Sequence, residues 1–228
     1  MIPVLLLAKS FLRQNRWLLL AFVALPLLLG AFLWSPHQSA SRQDVAEMVQ
    51  QEMFYGIAVV TFLASSAIYN EKRSRRIIGV LSKAVSRRQY LLALLLGSAY
   101  FALAYFASVG ITTIWLVGVS YTVLKTALAL FVRGTLASLW AAALGMFLST
   151  LLYPFFAAAV ALLIALAPLG FKSVNMFFAP AAVLMRGSDD LVNVMPFAAL
   201  LSSLGESFVI LVLAAQIFAR RDVAVSIE

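Results

Sequence analysis

Glu71-Lys72-Arg73-Ser74-Arg75-Arg76-Ile77-Ile78-Gly79-Val80-Leu81-Ser82-Lys83-Ala84-Val85-Ser86-Arg87-Arg88-Gln89-Tyr90 separates two long apolar runs. It holds seven of the seventeen cationic side chains of a chain in which only 11% of residues are charged. Such a stretch cannot cross a bilayer, so the runs on either side are expected to be separate spans joined at this point. The rest of the chain agrees: 64% of its residues are hydrophobic and its mean hydropathy is +1.00. A water-soluble domain has about a quarter of its residues charged, more than this chain has to cover its surface. Apolar runs of about 18–20 residues match about 30 Å of hydrocarbon as helix. The expected class is therefore all-α, a polytopic membrane protein, with the 228 residues forming one membrane domain, 1–228.

The formal net charge is +8. The cations sit at the ends of apolar runs, where the positive-inside bias places them, and nucleic acid is not an expected partner. The absence of cysteine excludes disulfides, thiolate metal sites and a cysteine nucleophile. Arg13 and Arg16 followed by the apolar run from Trp17 to Trp34 look like the start of a signal peptide. That run is longer than an ordinary signal core and no small-residue cleavage site follows, so it is expected to be a first span.

Residues 1–16 read as an interfacial helix: Val4, Leu7, Ala8 and Phe11 fall on one face and Lys9, Arg13 and Arg16 on the other. Span one covers 17–34, a polar loop 35–52, span two 53–70 and a long span three 91–120. Residues 121–133, with Lys125 and Arg133, read as an outer loop or interfacial turn. Span four then covers 134–152, span five 155–170 and span six 197–219. Residues 171–197 are too apolar for an exposed loop and too broken for a lipid-facing helix, so outer re-entrant helices are expected there. Six spans put both termini on one side, and the basic segment makes that side cytoplasmic in a cell-membrane protein.

Inside the basic segment Ile77, Val80, Leu81, Ala84 and Val85 recur at i, i+3, i+4, i+7 and i+8, a complete apolar helical stripe, while Arg76, Lys83 and Arg87 point elsewhere. Two readings follow from the pattern: a topology signal with a helix resting on lipid, or a helix seated in a groove of a cytoplasmic partner.

The run from Ile68 resembles the permeases of type-2 ABC exporters. It carries Tyr69-Asn70-Glu71-Lys72, then Arg75-Arg76-Ile77-Ile78-Gly79-Val80-Leu81-Ser82, then Val85-Ser86-Arg87-Arg88-Gln89-Tyr90-Leu91. The amino-terminal amphipathic stretch, the six spans and the exit Phe218-Ala219-Arg220-Arg221-Asp222 are also similar in layout. Ala84 departs from a frequent proline, and Ile77-Ile78 from the usual Gly-Thr. The resemblance implies that residues 71–90 are a cytoplasmic coupling segment. Glu71, Arg73, Arg76 and Arg87 would then face an ABC ATPase subunit, with Ile77, Leu81 and Val85 as an apolar ridge inserted into it. It further implies two ATPase copies and a second permease, self or related, beside membrane lipid. The chain has no G-x-x-x-x-G-K-[ST] segment, so ATP would be hydrolysed on a separate polypeptide and the permease itself is not expected to be an enzyme.

Glu206 is the carboxylate placed well inside an expected span. It reads either as a contact for cargo or a partner helix, or as a quiet group near the outer interface bonded to Ser202, Ser203 or Ser207. The one histidine, His37, lies in the polar loop, so intramembrane Ser–His proteolysis and H-E-x-x-H metal chemistry are not expected, and no cofactor is. The remaining alternative to an exporter permease is a structural or assembly subunit of a larger membrane complex.

Overall fold

The computed structural model describes residues 2–34, 41–73, 86–170, 180–186 and 197–220. They form helices α1 (Ile2–Gln14), α2 (Arg16–Leu33), α3 (Arg42–Arg73), α4 (Arg87–Val117), α5 (Tyr121–Ser149), α6 (Pro154–Leu166), a 3-10 turn (Ala167–Gly170), α7 (Pro180–Arg186) and α8 (Phe197–Arg220). The all-α expectation holds for these residues, and among them five helices, α2, α3, α4, α5 and α8, are long and apolar enough to cross a membrane.

Helix directions follow from which side chains meet. Phe22 stacks on Tyr105 at 3.9 Å, Ser108 donates to the Val23 carbonyl, and Gly30 lies against Thr112 and Trp115. Positions therefore advance together, and α2 runs parallel to α4. Thr61 and Ser65 crowd Gly145, and Phe106 lies between Gly56 and Gly134, which makes α3 and α5 parallel to each other and antiparallel to α4. Ser203 donates to the Leu136 carbonyl and Glu206 meets Trp140, so α8 runs with α5. Tyr90 stacks on Phe218, and Tyr69 meets Tyr153 edge to face. The end of α3, the starts of α4 and α6 and the end of α8 thus lie at one end of the bundle.

α5 is the centre, packed against α3, α4, α6, α7 and α8, while α2 touches chiefly α4. The core is assembled from small and aromatic residues in register. Gly56 and Gly134 offer no side chain where the Phe106 ring passes, and a Cβ at either would collide with it. On α6, Ala157, Ala161 and Ala165 are all buried, the close approach that small residues one turn apart allow.

Three sequence expectations change. Residues 121–133 are helix, not a turn: Ser120 caps α5 through the Val123 N–H, Lys125 stays exposed and Arg133 is buried. Lys125, in the first turns of α5, can run its stem along apolar surface to an exposed amine, and Arg133 is covered by packing, so neither breaks the helix. The loop assigned to 35–52 is helical from Arg42 onward, because Val45, Met48, Val49 and Met53 continue the buried stripe of α3. The stretch assigned to span five is helical, but α6 has 13 residues, about 20 Å, shorter than a full crossing. Of the re-entrant stretch 171–197, α7 and the backbone start of α8 are described, and the remainder lies outside the described residues.

Candidate functional site

The residues that the sequence reading assigns to partner contact flank the join of α3 and α4. The backbones of Glu71 and Arg73 close α3 and that of Arg87 opens α4. Their side chains, and Arg76, Ile77, Leu81 and Val85 entirely, lie outside the described residues. The two helices that bracket them are well defined as anchors. Ser86 accepts from the Gln89 N–H while the Gln89 side chain accepts from the Ser86 N–H, a reciprocal capping box that starts α4. α3 is unbroken for 32 residues and α4 for 31. Each therefore ties the bracketed segment to the far half of the bundle.

What those helices carry there is a buried polar pair. Glu52 is 0% exposed. It lies on the same stripe as Val45, Met48, Val49 and Met53, one helical turn before Gly56. The Tyr105 hydroxyl donates to Glu52 Oε2 and lies 3.1 Å from the Glu52 carbonyl oxygen. The Tyr105 ring is fixed by its stack on Phe22 and by an edge contact with Phe106. Glu52 Oε1 is buried and accepts no hydrogen bond. A polar atom left unmet in a packed core costs about 1–3 kcal/mol. An intramembrane carboxylate is a site where that cost is tolerated for a reason. Chemically the arrangement is half-satisfied: one oxygen is held, and the other is open to a donor or a proton.

A second carboxylate lies nearer the middle of α8. Glu206 Oε2 accepts from Trp140 Nε1 at 2.9 Å, and Oε1 is buried with no partner. The expected serine bonds do not form. Ser202 donates to the Ala199 carbonyl, Ser203 to that of Leu136 and Ser207 to that of Ser203. Ser202 and Ser207 turn back to a carbonyl one turn earlier in α8, and Ser203 reaches across to α5, so all three are already spent when the carboxylate needs a donor. The indole N–H, which can only donate, meets that need from α5.

Further buried polar groups lie on α3 and α5. Ser65 donates to the Thr61 carbonyl, whereas Thr61 Oγ1, Thr135 Oγ1 and Ser138 Oγ are buried without a partner. Arg133 is 3% exposed on α5 next to Gly134. Sequence reading placed Glu52 in a solvated loop and so missed the pair. The available signal was its position four residues after Met48 and four before Gly56, inside an apolar stripe that had already begun. Among the described residues, no three His, Asp or Glu side chains converge as metal ligands do. No protein-family model matches the chain, and no curated protein matches it.

Proposed function

We propose that the chain is the permease subunit of an ATP-driven exporter of the type-2 ABC kind, a cell-membrane protein with both termini cytoplasmic. The observation that carries the proposal is the antiparallel pair α3–α4. Two helices longer than 30 residues open at one end of the bundle onto a segment with an apolar stripe and a basic flank. The resemblance of residues 68–97 to such permeases supplies the partner, a separate P-loop ATPase in two copies, and a second permease to complete the cavity. α6 with its 3-10 turn would be the remaining crossing of a six-span layout. Positions Arg73, Arg87, Arg88 and Arg220 fall at the same end as the coupling segment. The other end carries Arg42 and Lys125 against Asp44 and Glu47, a charge asymmetry that favours the coupling end as cytoplasmic.

In mechanism, closure of the two ATPases pushes residues 74–85 and so moves α3 and α4 along their lengths. From Glu71 to Glu52 is 19 residues, about 28 Å of helix, so a displacement at the cytoplasmic end reaches the Glu52–Tyr105 pair with little bending. There the unmet Oε1 gives the helices an incentive to settle differently once moved, a local bistability of the kind that switching elements need. The test is purification and replacement of one residue. A P-loop ATPase should co-purify with the chain, and Leu81→Asp should leave assembly intact while ATP hydrolysis no longer drives transport. Normal transport by Leu81→Asp would reduce the segment to a topology signal. Co-purification of a complex without an ATPase would favour the structural-subunit reading.

A further inference from the structure

A groove of about 260 Å³ opens between the start of α4 and the second half of α8. Its walls are Leu92, Phe208, Leu211 and Val212, and at one end stand Arg88 and Gln216, with Gln89 beside them. Phe208 is 66% exposed and Leu92 40%, so the apolar part faces outward toward the membrane, while Arg88 lies at the end where α4 begins. Gln89 uses its side-chain oxygen to accept from the Ser86 N–H, and its NH2 is the end of the amide left to donate. The first turn of α4 contains no acidic residue to neutralise this cation.

We infer that this groove is a binding site for one anionic phospholipid, its phosphate at Arg88 and its acyl chain along Phe208 and Val212. Long apolar walls closed at one end by a guanidinium and amide donors match an amphiphile whose single charge is at its head. Guanidinium is the side chain best shaped for a phosphate, and basic pockets between membrane helices recognise anionic headgroups. A zwitterionic lipid would fit the walls equally and pay at Arg88 for the choline beside its phosphate, so the site selects by headgroup. The inference needs only that the chain lies in a bilayer and stands or falls apart from the permease reading.

Lipid retention measured by native mass spectrometry on the full chain in neutral detergent tests it, with dioleoyl-phosphatidylglycerol and dioleoyl-phosphatidylcholine as probes. One basic side chain beside a net anionic headgroup is worth about a fivefold preference, and phosphatidylglycerol carries that net charge whereas phosphatidylcholine does not, so phosphatidylglycerol should be retained about that much more. Arg88→Gln should bring the two lipids level, Arg88→Lys should keep most of the preference, and Val212→Trp, which fills the groove from its exposed rim, should lower retention of both. Equal retention of the two lipids by the unaltered chain overturns the site, as does an undiminished preference in Arg88→Gln. Full retention in Val212→Trp places the lipid elsewhere. Displacement of the lipid by millimolar inorganic phosphate as readily as by fresh lipid reduces the site to an anion contact. Protection of a cysteine at Val212 that rises with protein concentration and not with lipid would mean that a second copy covers the groove.

Discussion

The Tyr105 hydroxyl is the side-chain donor that the Glu52 carboxylate meets, and its own second acceptor is the Glu52 carbonyl. Tyr105→Phe keeps the ring stacked on Phe22 and leaves both carboxylate oxygens without a side-chain donor, so the folded state should lose about 1–3 kcal/mol. Removing both polar ends together, Glu52→Leu with Tyr105→Phe, should cost less than Tyr105→Phe alone, because two apolar groups leave nothing unmet. Thermal unfolding of the detergent-solubilised chain measures both, and a double variant weaker than the single one would show that the pair stabilises the fold outright. At Glu206 the amide of Glu206→Gln still accepts from Trp140 Nε1, and transport should be largely retained. Near-complete loss at normal expression would make the charge itself functional. The sequence showed Glu206 as an intramembrane carboxylate but not its donor, since Trp140 lies 66 positions away and no local pattern pairs them. Glu52 was legible only once the helix was extended back to Val45, and the acidic residues around it argued for a loop.

The elements read well where one face was apolar and poorly where polarity was local. α1 is the clear case: Val4, Ala8 and Phe11, the face picked out by periodicity, are buried. Its partner, however, is α4, because Gly97 leaves room for the Phe11 ring and Phe11 meets Phe101 edge to face. Lys9, Arg13 and Arg16 remain exposed on the opposite side, with Arg16 over the Trp17 ring. An interfacial helix and a docked helix have the same periodicity, so the sequence could not distinguish them. Gly97→Leu should displace Phe11 and free α1. A cysteine at Ala8, 1% exposed in the docked state, should then react with a small thiol reagent much faster than in the Gly97 background. An unchanged rate would mean that α1 is held mainly by lipid. The extension of α5 to Tyr121 was hidden by Lys125 and Arg133, which look like loop charges in a linear scan. On the helix one stem reaches outward and the other is covered by packing.

At the scale of the molecule, the charge asymmetry makes the arrangement in the membrane testable without any partner. A cysteine at Ser82 should be shielded from an impermeant reagent added outside intact cells, and one at Ser39 should label. The opposite result reverses the orientation. The alternation of helix directions was legible from the spacing of apolar runs. The short α6 was not, because alanine-rich helix and spanning helix have the same composition.

The position of α2 has a consequence for how the chain is made. Phe22, Pro26 and Gly30 are its only buried residues among those described, and all its principal packing is onto α4, more than fifty residues further along. During synthesis α2 therefore emerges before its seat exists. Its outward Leu20, Leu28 and Phe32 let it wait in lipid unaided, whereas α3, with Glu52, Thr61 and Ser65 facing inward, gains most from waiting for α4 and α5. Order of synthesis and order of docking differ: α2 must wait for α4, and α3 for both α4 and α5.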